Sequence, residues 1–425
     1  MRSTSALPTL IAALAGLLAL MPTLRMGFTR DDWLLLWSRL DPSTAPAGAA
    51  GVFSRPVAEA WWSLAVRIGA DAAWAAHLLQ FCCGAFLLVT LWRLARRLGA
   101  NAQAAAWFVG IVGLHTALLE LRLWAAASNG LLALLFGCAA LEFWLASRRW
   151  LALGLFLLAV GSRADAIVLL PLLLALSAWR DGVAARRSVL VAIGLASLFV
   201  LVLSLRAASH GIAWRPEDAG RALRLLILPW GQPLPRAAQA TLGLGASAIL
   251  LAALSWRRVS AHHKWIAASI LAVAWAGSLM PWNMAGRYLA FAVLGLGLAA
   301  LFDPPRRRST QLLVLGWLAA HAISDIAGNT TRDLLQRSRA ETELYRIVRG
   351  VAHDVKSVSL VDAPPMGWRD EEADAENVVS VARRKIVAVR FSPGAETSET
   401  DELRLEYREG SWRVFGLRDS PAARP

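Results

Sequence analysis

Long apolar runs recur from the N terminus to residue 328 and then stop. A membrane-crossing helix needs about 20 apolar residues, fewer where it is broken. Eleven segments qualify: 6–24, 73–92, 102–119, 123–145, 150–161, 165–179, 188–205, 237–256, 265–281, 286–302 and 310–328. The fifth and sixth are short and read as a hairpin, or a partly re-entrant pair, turning at Gly161-Ser162-Arg163. The first resembles a secretory leader in length. It lacks a small-x-small cleavage site and runs on through Thr23-Leu24-Arg25-Met26, so it is read as a retained helix.

After residue 328 the pattern changes. Residues 338–353 carry Leu344, Ile347, Val348 and Val351 on one helical face. SVSLVDAP reads as a strand closed by a Pro-rich turn. NVVSVARRKIVAVRF and ELRLEYREGSWRVFGL read as further strands, the second folding into a hairpin at Arg408-Glu409-Gly410. The expected architecture is therefore a polytopic α-helical membrane domain over 1–328, followed by a small soluble α/β or α+β domain over 329–425.

Charge separates the same two parts. Residues 1–328 hold 28 Lys or Arg against 13 Asp or Glu, and residues 329–425 hold 16 against 17. The net charge of +14 thus lies wholly in the apolar part, which argues for membrane topology and against nucleic-acid binding. With the N terminus inside, the connections 93–101, 146–149, 180–187, 257–264 and 303–309 are cytoplasmic. They hold 14 basic residues against Asp181 and Asp303, as the positive-inside rule requires. The expected location is the inner (plasma) membrane, with the C-terminal domain extracytoplasmic. Cys82, Cys83 and Cys138 all fall in apolar runs, where they act as small hydrophobes.

The outer connections nevertheless carry 13 Arg. An excess against the rule calls for anionic ligands at the membrane surface. The first outer segment, 25–72, contains the adjacent acids of FTRDDWLLLW, Asp31 and Asp32. Either is a solvated loop residue in the plainest reading, and Asp32 also fits as the N-cap of a helix starting at Trp33. Capping accounts for Asp32, so Asp31 is the favoured candidate base. The stretch VAEAWWSLAVRI reads as an amphipathic interface helix. No His lies near the acidic pair, so a divalent metal there is not favoured and no cofactor is expected.

At these residues the chain resembles the GT-C integral membrane glycosyltransferases, especially the bacterial relatives of protein O-mannosyltransferases and aminoarabinose transferases. The matching residues are Asp31 and Asp32 in FTRDDW, Arg55-Pro56 in FSRPVAEAW, Arg163 and Asp165 in GSRADAIVLLP, and Arg287-Tyr288 in AGRYLAFAVLG. The likeness spans most of 1–328. It departs where relatives often carry Lys-Glu or Arg-Glu and this chain has Arg163-Ala164-Asp165. The resemblance implies inverting transfer from a sugar on a polyprenyl phosphate to a protein, lipid or glycan acceptor at the outer face. It implies an Asp of the first outer loop as general base and Arg55, Arg163 and Arg287 on the donor phosphate, with Tyr288 beside them. Arg221 and Arg224, one turn apart in the outer loop 206–236, join them as phosphate candidates, and Asp165 fits as a salt-bridge partner of Arg163. A transporter or flippase would place ionisable groups within spans and show related halves. A glycan polymerase or ligase would place its key residues in a large late outer loop. Both remain alternatives.

Overall fold

The computed structural model describes residues 7–29, 31–40, 55–163, 289–302, 307–327, 329–351, 357–361, 387–392, 402–408 and 411–416, with scattered positions between them. The described residues are mostly helical with one small sheet. Helices α1 (Leu7–Leu20), α2 (Asp31–Leu40), α3 (Pro56–Gly69), α4 (Ala73–Arg97), α5 (Ala102–Leu114), α6 (Leu119–Leu123), α7 (Ser128–Leu145) and α8 (Arg149–Ser162) come first. Helices α9 (Ala290–Phe302), α10 (Arg308–Ala327) and α11 (Asn329–Gly350) follow, and then β1 (Ser357–Val361), β2 (Ala388–Ser392), β3 (Glu402–Arg408) and β4 (Ser411–Gly416).

Among the described residues two helices are long and apolar enough to cross a membrane, Ala73–Arg97 and Ala125–Leu145, or three if the bent pair 102–123 is one span. The expected spans 165–179, 188–205, 237–256 and 265–281 lie outside the continuously described residues.

The chain forms two compact units. One contains 1–21, 80–122 and 127–328, and the other 22–79, 123–126 and 329–425. The second unit therefore joins residues 329–425 to residues 22–79, where the apolar pattern alone suggests a boundary at 328.

The first unit is a helical assembly. Its core gathers Ala19, Trp107, Ile111, Leu114 and Leu318. Helix α5 packs against α1 and α9, and α7 packs against α8. Small residues permit the closest approach. A Cβ added at Gly113 would stand 2.9 Å from Leu88 Cδ2 and 3.7 Å from the Gly16 Cα. The expected span 102–119 is broken: α5 ends at Leu114, and the chain bends by 49° into Thr116–Leu123. A break strands backbone groups that apolar surroundings cannot solvate. Side chains take them up. The Thr116 N–H donates to His321 Nδ1 at 3.1 Å and the Ala117 N–H to His115 Nδ1 at 3.1 Å. Arg122 Nη1 donates to the Gly113 carbonyl at 2.5 Å and Nη2 to the His115 carbonyl at 2.8 Å.

In the second unit the strand order is β2-β1-β3-β4. Strand β1 runs parallel to both β2 and β3, and β3 pairs antiparallel with β4. Val358, Leu360, Leu403, Leu405 and Trp412 are buried on this sheet, as are Leu344 and Val348 on α11. The Trp412 indole N–H donates to the Ala340 carbonyl at 2.9 Å, pinning β4 to α11. The hairpin at 408–411 forms as the sequence predicts. The stretch NVVSVARRKIVAVRF does not form one strand: residues 378–380 and 382–383 are helical, and only its end enters β2. Parallel neighbours need a crossover of a dozen or more residues, and the first half of this stretch lies in that crossover. Helix α11 begins at Asn329, nine residues before the expected start.

Candidate functional site

The second unit holds a buried acidic centre, built from the start of α2. Asp32 N–H donates to the Thr29 carbonyl at 3.1 Å, and Thr29 N–H donates back to Asp32 Oδ2 at 3.0 Å. The second bond is the returning half of a capping box, from the side chain of Asp32 to the backbone of Thr29 three residues earlier, while the first is a backbone turn. The expectation that Asp32 itself caps a helix starting at Trp33 is corrected: the helix already includes Asp31. The Thr29 hydroxyl takes another partner. It donates to Glu341 Oε1 at 2.9 Å, and the Trp33 indole N–H donates to Glu341 Oε2 at 2.8 Å.

Asp32 and Glu341 are both fully buried. Asp32 Oδ1 accepts from the Ala126 N–H at 2.5 Å, so each of its oxygens holds a backbone amide. Burial pushes the Asp32 carboxyl well above the usual carboxylate range. The two amide bonds pull it back, and the nearby charges of Asp31 and Glu341 push it up again. The Trp124 indole N–H donates to the Thr29 carbonyl at 3.2 Å, closing the cap from a third segment.

Aromatic rings enclose this centre. Trp33 stacks on Tyr345 with centroids 5.0 Å apart, and Phe28 meets Trp33 edge-on at 5.5 Å. The Tyr345 hydroxyl donates to Asp71, which also pairs with Arg349. Arg349 Nη1 donates to the Tyr345 oxygen at 2.9 Å. His77 Nε2 donates to the Gly27 carbonyl at 3.2 Å. The chain from Gly27 to Trp33 is thus tied to α4, to α11 and to residues 124–126.

Asp31, next to Asp32, is exposed. The acidic pair divides into an exposed Asp31 and a buried Asp32 whose carboxylate holds two backbone amides. Both Asp32 oxygens are engaged with amides, which makes the pair a poor chelate for a shared cation. The helix turn that carries Asp31 is held by the buried hydrogen bonds of Asp32.

Arg55 is exposed and immediately precedes Pro56 at the start of α3, in the same unit as the acidic pair. Arg163 ends α8 in extended conformation and is 8% exposed, with Nη1 close beside Gly130. Arg224 is buried and Arg221 half-buried, three residues apart at helical positions. Arg163, Arg221 and Arg224 belong to the first unit. Asp165, Arg287 and Tyr288 lie outside the described residues.

Sequence reasoning missed Glu341. Its signal was present: Leu334, Ser338, Glu341, Tyr345 and Val348 follow one helical stripe, and all five are buried. An acid on a buried stripe demands partners. Comparison with protein-family profiles, with curated proteins and with solved structures finds no match to this chain.

Proposed function

We propose that the protein is a multi-pass inner-membrane glycosyltransferase that moves a sugar from a polyprenyl phosphate to a protein, lipid or glycan acceptor at the outer face. The observation that supports it most is the exposed Asp31 beside the buried, amide-bound Asp32 on the first turn of α2. In this reading Asp31 accepts the proton of the acceptor hydroxyl as that oxygen attacks the sugar C1. The C1–O bond to phosphate breaks, and the electron pair leaves with the polyprenyl phosphate. Arg55, in the same unit as Asp31, holds that phosphate and stabilises its developing charge, and Arg163, Arg221, Arg224 and Arg287 are the further phosphate candidates of the sequence. Apolar helices accommodate the prenyl chain. Eleven spans, a cytoplasmic N terminus and an extracytoplasmic tail belong to the same proposal.

The test is transfer by purified protein in lipid from a panel of polyprenyl-phosphate sugars, scored by release of polyprenyl phosphate. The proposal expects one donor class to turn over and Arg55→Ala or Arg163→Ala to raise its KM. Failure of every donor in a broad panel would sink it and leave transport or envelope-glycan polymerisation as the better reading.

A further inference from the structure

We infer that Glu341 is a positioning residue: from α11 it holds the Thr29–Trp33 turn in the geometry that presents Asp31. The segment after residue 328 is on this account part of the site and not an appendage. The inference rests on the proposed transferase reading for its functional meaning, and its geometry stands apart from it.

Glu341 lies 308 and 312 positions along the chain from Trp33 and Thr29, yet each carboxylate oxygen takes one donor from the α2 cap, at 2.8 and 2.9 Å. The carboxylate is fully buried. A buried acid is costly unless its acceptors are used. Here its two oxygens take the Thr29 hydroxyl and the Trp33 indole N–H. The Thr29 hydroxyl thereby leaves the helix end, and the cap keeps only the Asp32 half of the box. Loss of Glu341 would strand two buried donors and loosen the turn that carries Asp31.

The charged groups bearing on Asp32 are Asp31 on its own helix and Glu341 on α11. Tyr345 stacks on the neighbouring Trp33 and bonds Asp71 and Arg349 through its hydroxyl, and His77 of α4 stands beside Phe28. Two acids near a buried acid oppose its ionisation. Removing one eases it.

The experiment uses the full chain in lipid nanodiscs, with Glu341→Ala and Glu341→Gln. Gln keeps the shape: its oxygen accepts from Trp33, and its amide donates to a Thr29 hydroxyl turned about. Hydrogen exchange of peptides covering 28–37 should rise at least tenfold in Glu341→Ala and stay within about twofold of wild type in Glu341→Gln. Infrared titration of the acid carbonyl band that Asp32→Asn removes should move to lower pH in Glu341→Gln, an effect that a purely steric role would not produce. Unchanged exchange in Glu341→Ala, or an unmoved band in Glu341→Gln, overturns the inference. Should Glu341→Ala fail to fold, the band shift in Glu341→Gln decides alone. If wild type transfers no sugar while exchange and band behave as expected, the positioning role stands and the transferase reading falls.

Discussion

Asp32→Asn should change the pH dependence of stability in a direction that identifies Asp32 as a buried acid held above its ordinary range. The folded protein raises this carboxyl, chiefly by burial. In the unfolded chain it titrates near its ordinary value, about 3.9. Between that value and the raised folded value, the folded state binds the proton and the unfolded state releases it. Folding then takes up a proton, so stability is full below the lower value and falls as pH rises through the window. One proton gives a slope of at most about 1.4 kcal/mol per pH unit. The Asn side chain has no such dependence. It carries one acceptor and one NH2, whereas the site offers two backbone N–H donors, from Thr29 and Ala126. One donor then faces a donor, at a cost of about 1–3 kcal/mol. The variant is therefore less stable than wild type at pH 4, and the gap closes or reverses as pH rises. Melting of both proteins in the same detergent between pH 4 and 8 reads this, at roughly 2–4 °C per kcal/mol for a unit of this size. A gap that stays constant, or widens as pH rises, refutes the reasoning.

Gly27→Ala should destabilise the second unit by about 1–3 kcal/mol, because the new Cβ would collide with Thr342 Oγ1 and lie 2.9 Å from the Ser338 carbonyl. Thr342→Ala in the same chain should recover part of the lost melting temperature, and no recovery would contradict this account of the contact. Glu142→Gln removes the carboxylate that Arg93 Nη2 approaches at 3.0 Å and Arg97 Nε at 3.9 Å. The two arginines are about half exposed and stay solvated, so thermal melting should show a loss of about 1 kcal/mol and not the larger loss of a fully buried pair. His321→Phe should loosen the helix break by stranding the Thr116 N–H, at about 1–2 kcal/mol. Amide exchange in peptides around 114–118 should rise, and unchanged exchange would mean that the break needs no side-chain cap.

Helices were legible wherever an apolar run stood between charged connections. The runs at 73–92, 150–161 and 310–328 appear as α4, α8 and α10 with ends shifted by a few residues. The break at His115 was not legible, because a local pattern does not show that His321, more than 200 positions away, will accept the stranded amide. The hairpin after β3 was visible from its turn residues. The helical crossover before β2 was hidden by β-branched residues, since parallel pairing with β1 is a tertiary fact. At the site, FTRDDW marked the place but misassigned the cap. The position of Thr29 three residues before Asp32 was readable as half a capping box, while the diversion of its hydroxyl to Glu341 depends on α11. A boundary at 328 follows hydropathy, whereas the compact units follow packing, and these divide the chain differently.

The central claim is that the acidic pair has two distinct tasks, chemistry at Asp31 and architecture at Asp32. The most direct measurement is single-turnover release of polyprenyl phosphate from a competent donor by Asp31→Asn and Asp32→Asn, each matched to wild type for folded protein. The account predicts that Asp31→Asn stays folded and loses turnover by at least 100-fold, while Asp32→Asn keeps measurable turnover with altered stability. Wild-type turnover in Asp31→Asn would contradict it.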